Sequence, residues 1–151
     1  MLAKLEKWTE PLRSFLFAKL GEPFAWGICD CHTLVLEAVD VMTGGDSARL
    51  AVGRYSGARD ALGVSLENGG IENVLRSRGA YTVEGLACFG DIYLFDEIAD
   101  GARCMPWAES APAMVLRADK VVFPTTKGVA ILDTESVGHI ESVLRFPLCR
   151  R

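Results

Sequence analysis

With 151 residues, half of them apolar, the chain can bury one hydrophobic core of ordinary size but not two, and we expect a single domain over residues 1–151. The net charge is −4 and the basic residues are scattered, which argues against nucleic acid as a partner. No apolar run reaches the length of a membrane span, so we expect no transmembrane segment.

The amino-terminal residues and the cysteines indicate the compartment. Lys4, Glu6 and Lys7 stand where a secretory signal peptide would be apolar, so we expect synthesis in a cytoplasm. The five cysteines form an odd set without regular spacing, namely Cys29, Cys31, Cys88, Cys104 and Cys149. A disulfide framework is therefore not indicated, and we expect reduced thiols.

The first 80 residues have mostly helical patterns. Residues 2–20 place apolar side chains three and four apart, but Pro11 fits poorly inside a helix. We expect either a break near Thr9 and Glu10 or a second helix that starts there, with Thr9 or Glu10 as its cap and Pro11 in its first turn. Residues 31–42 are apolar on most sides, which predicts a buried central helix capped by Asp30. Residues 55–80 predict two short helices joined by Gly69-Gly70.

Short β-rich runs separated by turn residues follow Gly85. They cover residues 91–95, 113–117, 121–123, 128–132 and 143–146. Short connections favour antiparallel pairing. The sequence therefore predicts an α+β fold in which a helical amino-terminal half, with its buried central helix, packs on a small antiparallel β-sheet or partial barrel.

The segment with recognisable chemistry is residues 24–34, where a glycine turn leads into Asp30-Cys31 at the start of the central helix. A helix amino terminus stabilises a thiolate, so Cys31 is a candidate nucleophile. The alternative is that Cys31 is a small buried hydrophobic residue.

These residues, together with a later run, resemble a known family. Trp26-Gly27, Asp30-Cys31 and Gly90-Asp91 before an apolar strand resemble the NlpC-like branch of the papain-like cysteine peptidases. Pro23-Phe24, Thr43-Gly44, Asp46 and Tyr55 add a closer resemblance to small uncharacterised proteins encoded in phage and prophage tail regions. The resemblance implies a papain-like fold, with Cys31 at the nucleophile position and Asp30 as a structural cap.

The chain departs from the peptidase pattern at the base. The resemblance implies a histidine at the start of the strand after Gly90-Asp91, where the sequence reads Ser110-Ala111-Pro112. His32 follows Cys31 directly, and successive helical side chains diverge by about 100°. His139 is the remaining candidate base, provided that the last strand ends beside Cys31.

Other candidate sites are weaker. Cys29, Cys31 and His32 could open a zinc site completed by His139 and Cys104 or Cys149, but the usual pair spacing is missing, and we expect no metal or other cofactor. Trp26 next to Gly27 suits packing over the helix start as well as ligand contact. Trp107 is the candidate for contact with a partner.

Three functions follow from the resemblance and its departures. The first is a tail-tip or assembly protein of a phage or prophage, catalytically degenerate, located in the virion and bound to hub, tube or tip proteins. The second is an active cysteine hydrolase that cuts bacterial peptidoglycan during genome entry, with Cys31 as nucleophile. The third is a zinc-stabilised binding module. The missing histidine favours the first.

Overall fold

The computed structural model describes residues 1–99 and 110–150 and has helices followed by a sheet. The α-helices are α1 (Thr9–Lys19), α2 (Cys31–Thr43), α3 (Ala58–Asn68) and α4 (Ile71–Ser77). The strands are β1 (Tyr81–Thr82), β2 (Ile92–Asp96), β3 (Ala111–Arg117), β4 (Lys120–Thr125), β5 (Gly128–Asp133) and β6 (His139–Arg145). They form one antiparallel sheet in the order β1-β6-β2-β3-β4-β5, which confirms the α+β class.

The amino-terminal helix starts later than the periodicity of residues 2–20 suggests. Helix α1 begins at Thr9 with Pro11 in its first turn, as the second alternative predicts, but the N-cap position is Trp8 and not Thr9 or Glu10. The helical pattern predicted for residues 2–8 is wrong. There the backbone N–H of Lys4 donates to Pro147 O at 2.7 Å and that of Leu5 donates to Met42 O at 2.8 Å, so distant partners hold the segment outside any helix.

The buried central helix is confirmed. Helix α2 starts directly after Asp30, ten of its thirteen residues are buried, and Gly44 ends it in the left-handed conformation with φ of 73°. None of the described helices combines the length and the apolar content that crossing a membrane requires.

The later elements agree with the sequence pattern except at their ends. Gly69 and Gly70, both at positive φ, join α3 to α4 as expected. Strand β1 was not predicted, because two residues are too few to show a period. Strand β6 begins at His139, four residues before the predicted start at residue 143. The sequence pattern missed these residues because Glu141 and Ser142 interrupt the apolar run.

Each face of the sheet carries a buried apolar cluster. Ile92, Leu94 and Met114 belong to the cluster that includes α1 and α2. The other cluster, called here the far-side cluster, contains Cys31, Ala87, Tyr93, Phe95, Ala111, Ala113, Val115, Val121, Phe123 and Val137. The first residue of α2 therefore belongs to a different part of the core from most of its helix.

A buried ion pair connects strand β6 to the turn before β2. Asp91 is fully buried and accepts two hydrogen bonds from the Arg145 guanidinium, both at 2.7 Å. It also accepts one from the backbone N–H of Cys88 at 2.8 Å. The bonded carboxylate raises the pKa of Arg145. Asp91 of the Gly90-Asp91 motif thus fixes the start of a central strand.

Replacing Asp91 with alanine is expected to lower the free energy of unfolding by about 3 kcal/mol, because the Arg145 guanidinium and the Cys88 amide lose their shared partner. Urea denaturation measures the loss. Asp119→Ala is the control, because the Asp119–Arg117 pair is exposed and is worth under about 1 kcal/mol. Equal losses in the two variants would contradict the anchoring role of Asp91.

Candidate functional site

The Asp30 carboxylate is the centre of the turn that precedes α2. It is fully buried, and its Oδ1 accepts hydrogen bonds from the backbone N–H groups of His32 and Thr33, each at 2.9 Å. Its Oδ2 accepts from the Gly27 N–H at 2.9 Å and from the Tyr55 hydroxyl at 2.7 Å. Thr33 Oγ1 accepts from the Asp30 N–H at 2.8 Å, which completes a capping box. Asp30 is therefore a structural cap, as expected from the sequence.

The turn is closed against the backbone of residues 53–55. The Gly53 N–H donates to Gly27 O at 2.8 Å. Gly27 has φ of +74°, and a Cβ atom there would lie 2.0 Å from Tyr55 O. Only glycine meets both conditions. Burial and the adjacent Asp30 carboxylate raise the pKa of Tyr55, so its hydroxyl remains a proton donor to Asp30.

The Cys31 thiol lies among apolar side chains. Cys31 is 1% exposed and belongs to the far-side cluster together with Phe95 and Ala111. The resemblance implies a catalytic histidine where the chain reads Ser110-Ala111-Pro112, and β3 begins there at Ala111 without one.

His139, the candidate base, is engaged at the surface. Its Nδ1 lies 2.8 Å from Asp96 Oδ1, and its side chain is 69% exposed. His139 and Asp96 are cross-strand neighbours, and so are the next pair, Ile140 and Phe95. Ile140 and Phe95 pack in the far-side cluster with Cys31. Because side chains alternate along a strand, His139 and Asp96 lie on the opposite face from that cluster.

His32 lies in a separate cleft, away from the far-side cluster. It is 6% exposed, and its Nε2 has no hydrogen-bond partner among the residues that the structure describes. The imidazole lines a space between α2, α3 and α4 together with Tyr55. Burial lowers the pKa of His32 to about 4, although the Asp30 carboxylate opposes the shift. The ring is therefore neutral at pH 7.

The zinc alternative gains no support from the geometry. Within residues 1–99 and 110–150, no three His, Cys, Asp or Glu side chains are placed to hold a metal ion. Cys29 is buried, and burial raises its pKa to about 11, which disfavours the thiolate that zinc binds. Cys149 is an exposed free thiol, and Cys104 lies outside the described residues.

The two tryptophans singled out for binding have different outcomes. Trp26 is partly buried, packs against the cluster that includes α1 and α2, and meets the Phe24 ring edge to face at 4.9 Å. This gives Trp26 a packing role, and its contact with a ligand stays a prediction. Trp107 lies outside the described residues.

Two features of the site were not predicted. The sequence suggested that His32 points away from Cys31, but nothing in it indicated an unpaired nitrogen in a cleft. The bond from Tyr55 to Asp30 joins residues 25 positions apart, and no local pattern predicts such a contact.

Comparison with known proteins gives one match. Residues 3–140 match a protein family described as a domain of unknown function (DUF6950). No curated protein and no solved structure matches the chain.

Protonation of His32 is expected to destabilise the protein in mild acid. The folded pKa of about 4 lies below the ordinary 6.5, so the unfolded chain binds more protons between these values and stability falls as pH falls through that window. The free energy of unfolding from urea titrations should drop by about 2 kcal/mol between pH 7 and pH 5.

The two histidines provide a matched comparison for this effect. His32→Leu should remove the drop between pH 7 and pH 5, because leucine has no proton to gain. His139→Gln should leave it, because His139 is mostly exposed. A drop that persists in His32→Leu would assign the acid sensitivity to other groups.

Proposed function

The chain belongs to the DUF6950 family, and from that premise we propose that it is a non-catalytic component of a phage or prophage tail, built on an NlpC-like, papain-like fold. It acts near the tail tip as an assembly or structural protein bound to hub, tube or tip proteins. The observation that carries this proposal is the environment of Cys31, an almost fully buried thiol in an apolar cluster, in a chain that reads Ser110-Ala111-Pro112 where the resemblance implies a histidine.

The motif residues behind the resemblance have structural tasks that need no catalysis. Gly27 allows the backbone contact with Tyr55, and Asp30 accepts four hydrogen bonds. Asp91 anchors Arg145. A chain that keeps these groups while losing the base retains the fold of a peptidase and can use its surface for assembly. This agrees with a fold that persists after its chemistry is lost.

The active hydrolase is the second candidate, and the position of Cys31 at the amino terminus of α2 favours it. Two observations weigh against it. A substrate carbonyl must approach the sulfur within reacting distance, and the thiol is 1% exposed. The His139 imidazole is bonded to Asp96 on the opposite face of the strand pair. A positioned base contributes roughly 10²–10⁴-fold, and His139, on the other face of the strand pair, is not placed to supply it.

The test uses the phage or prophage that encodes the chain. Mass spectrometry of purified virions should detect the protein, and deletion of its gene should abolish infectious particles with complete tails. Cys31→Ala should restore particle yield to within about twofold of wild type, because the proposal assigns the thiol no catalytic step and alanine keeps a small side chain in the cluster. Cys88→Ala, at an exposed thiol, is the matched control.

Two results would overturn the proposal. Absence of the protein from virions would contradict a tail component. If folded Cys31→Ala protein behaved like the deletion, and if wild-type but not variant protein released peptides from purified peptidoglycan, the hydrolase would replace the structural role.

A further inference from the structure

Helix α3 covers a narrow cleft beside His32 that has almost no room for solvent. About 20 Å³ is open to water, which is enough for a single molecule. The lining comes from α2, residues 50–55, α3 and α4 and includes His32, Leu36, Tyr55, Val64 and Ile71. His32 Nε2 bonds to nothing among the described residues. The imidazole is thus held in a mostly apolar space that bulk water does not fill.

This cleft suits the neutral ring and disfavours the imidazolium. An imidazolium carries a proton on both nitrogens, and no carboxylate lines the cleft to accept the one on Nε2. The charged group facing His32 is the Asp30 carboxylate, whose oxygens already accept four hydrogen bonds. Tyr55 stays neutral because burial and Asp30 raise its pKa, and the lining residues of α3 and α4 have no ionisable groups. A proton on His32 would therefore create a buried cation without a partner.

Few interactions hold α3 in place. Ala61 is its one buried residue. The Asn68 amide bonds within the helix, and Asn73 of α4 donates to Asn68 O at 2.9 Å. Among the described residues, no hydrogen bond or ion pair links α3 to α2 or to residues 50–55. Because an element with few buried side chains opens at lower cost than the core, α3 is the part of the cleft wall that yields first.

We propose that α3 is an acid-released lid: when His32 takes up a proton, α3 moves away from α2 on its flanking glycines, Gly57 and Gly69-Gly70, and the imidazolium reaches solvent. Release uncovers the apolar lining on α2 and α4, including Leu36 and Ile71. It differs from acid unfolding of the whole chain, because α2 and the sheet keep their structure. The lid is independent of the proposed tail function.

The size of the effect follows from where His32 binds its proton. With α3 closed, burial holds the pKa of His32 at about 4, whereas a solvated ring has the ordinary value of 6.5. The open form therefore binds more protons between these values, so the closed form loses stability as pH falls through that window. Between pH 7 and pH 5 the equilibrium constant for opening should rise about 20-fold.

Native-state amide hydrogen exchange tests the lid, because it measures opening for each element separately. After correction for intrinsic exchange rates, α3 amides of the wild-type protein should open about 20-fold more at pH 5 than at pH 7. Their opening should hardly respond to low urea, because local release exposes little surface. Amides of α2 should open only through a costlier unfolding that depends strongly on urea.

The two histidines again provide matched variants. His32→Leu should give α3 the same opening constant at both pH values, because leucine takes up no proton. His139→Gln should keep the wild-type rise, because His139 is mostly exposed. Backbone amide spectra establish that each variant is folded. If His32→Leu does not fold, the comparison of α3 with α2 in the wild-type protein decides the question alone.

Three outcomes would overturn the proposal. One is an α3 opening constant that stays the same between pH 7 and pH 5. Another is that α3 amides open with the same free energy and the same urea dependence as those of α2, since acid would then unfold the chain as a whole. The third is a rise that persists in folded His32→Leu protein, because another group would then be the sensor.

Discussion

The buried Asp30 carboxylate is the interaction on which the arrangement of this molecule depends. A fully buried anion is stable only when donors surround it, and four do so here, from Gly27, His32, Thr33 and Tyr55. The bonds from His32 and Thr33 cap α2, and the bond from Gly27 closes the preceding turn. The bond from Tyr55 joins the turn to a residue 25 positions later in the sequence. The same carboxylate thereby fixes where the central helix starts.

Fixing that start places two neighbouring side chains in different environments. Cys31 belongs to the far-side cluster, while His32 lines the cleft between α2, α3 and α4. A thiol and an imidazole that are adjacent in sequence are thus separated by the helix itself, because consecutive side chains point about 100° apart. The thiol joins the far-side cluster, and the imidazole becomes a buried neutral group whose Nε2 has no hydrogen-bond partner among the described residues.

The local features were predictable from sequence and the long-range ones were not. Asp30 as a cap and the glycine pair between α3 and α4 act within a few residues, so their patterns are visible. Asp91 and Arg145 are 54 positions apart in the sequence. Strand β1, at the edge of the sheet, is only two residues long and shows no period. Residues 2–8 show a helical period, yet the backbone N–H groups of Lys4 and Leu5 donate hydrogen bonds to the carbonyl groups of Pro147 and Met42. Tertiary hydrogen bonds override local propensity there.

The most direct measurement is the free energy of unfolding of Asp30→Asn by urea denaturation. An amide keeps the shape of the side chain but removes its charge and turns an NH₂ group toward donors. We expect the free energy of unfolding to fall by about 3 kcal/mol or more, because buried N–H and hydroxyl donors lose their acceptor. A loss below about 1 kcal/mol, the usual range for an exposed pair, would contradict the claim that this carboxylate organises the fold.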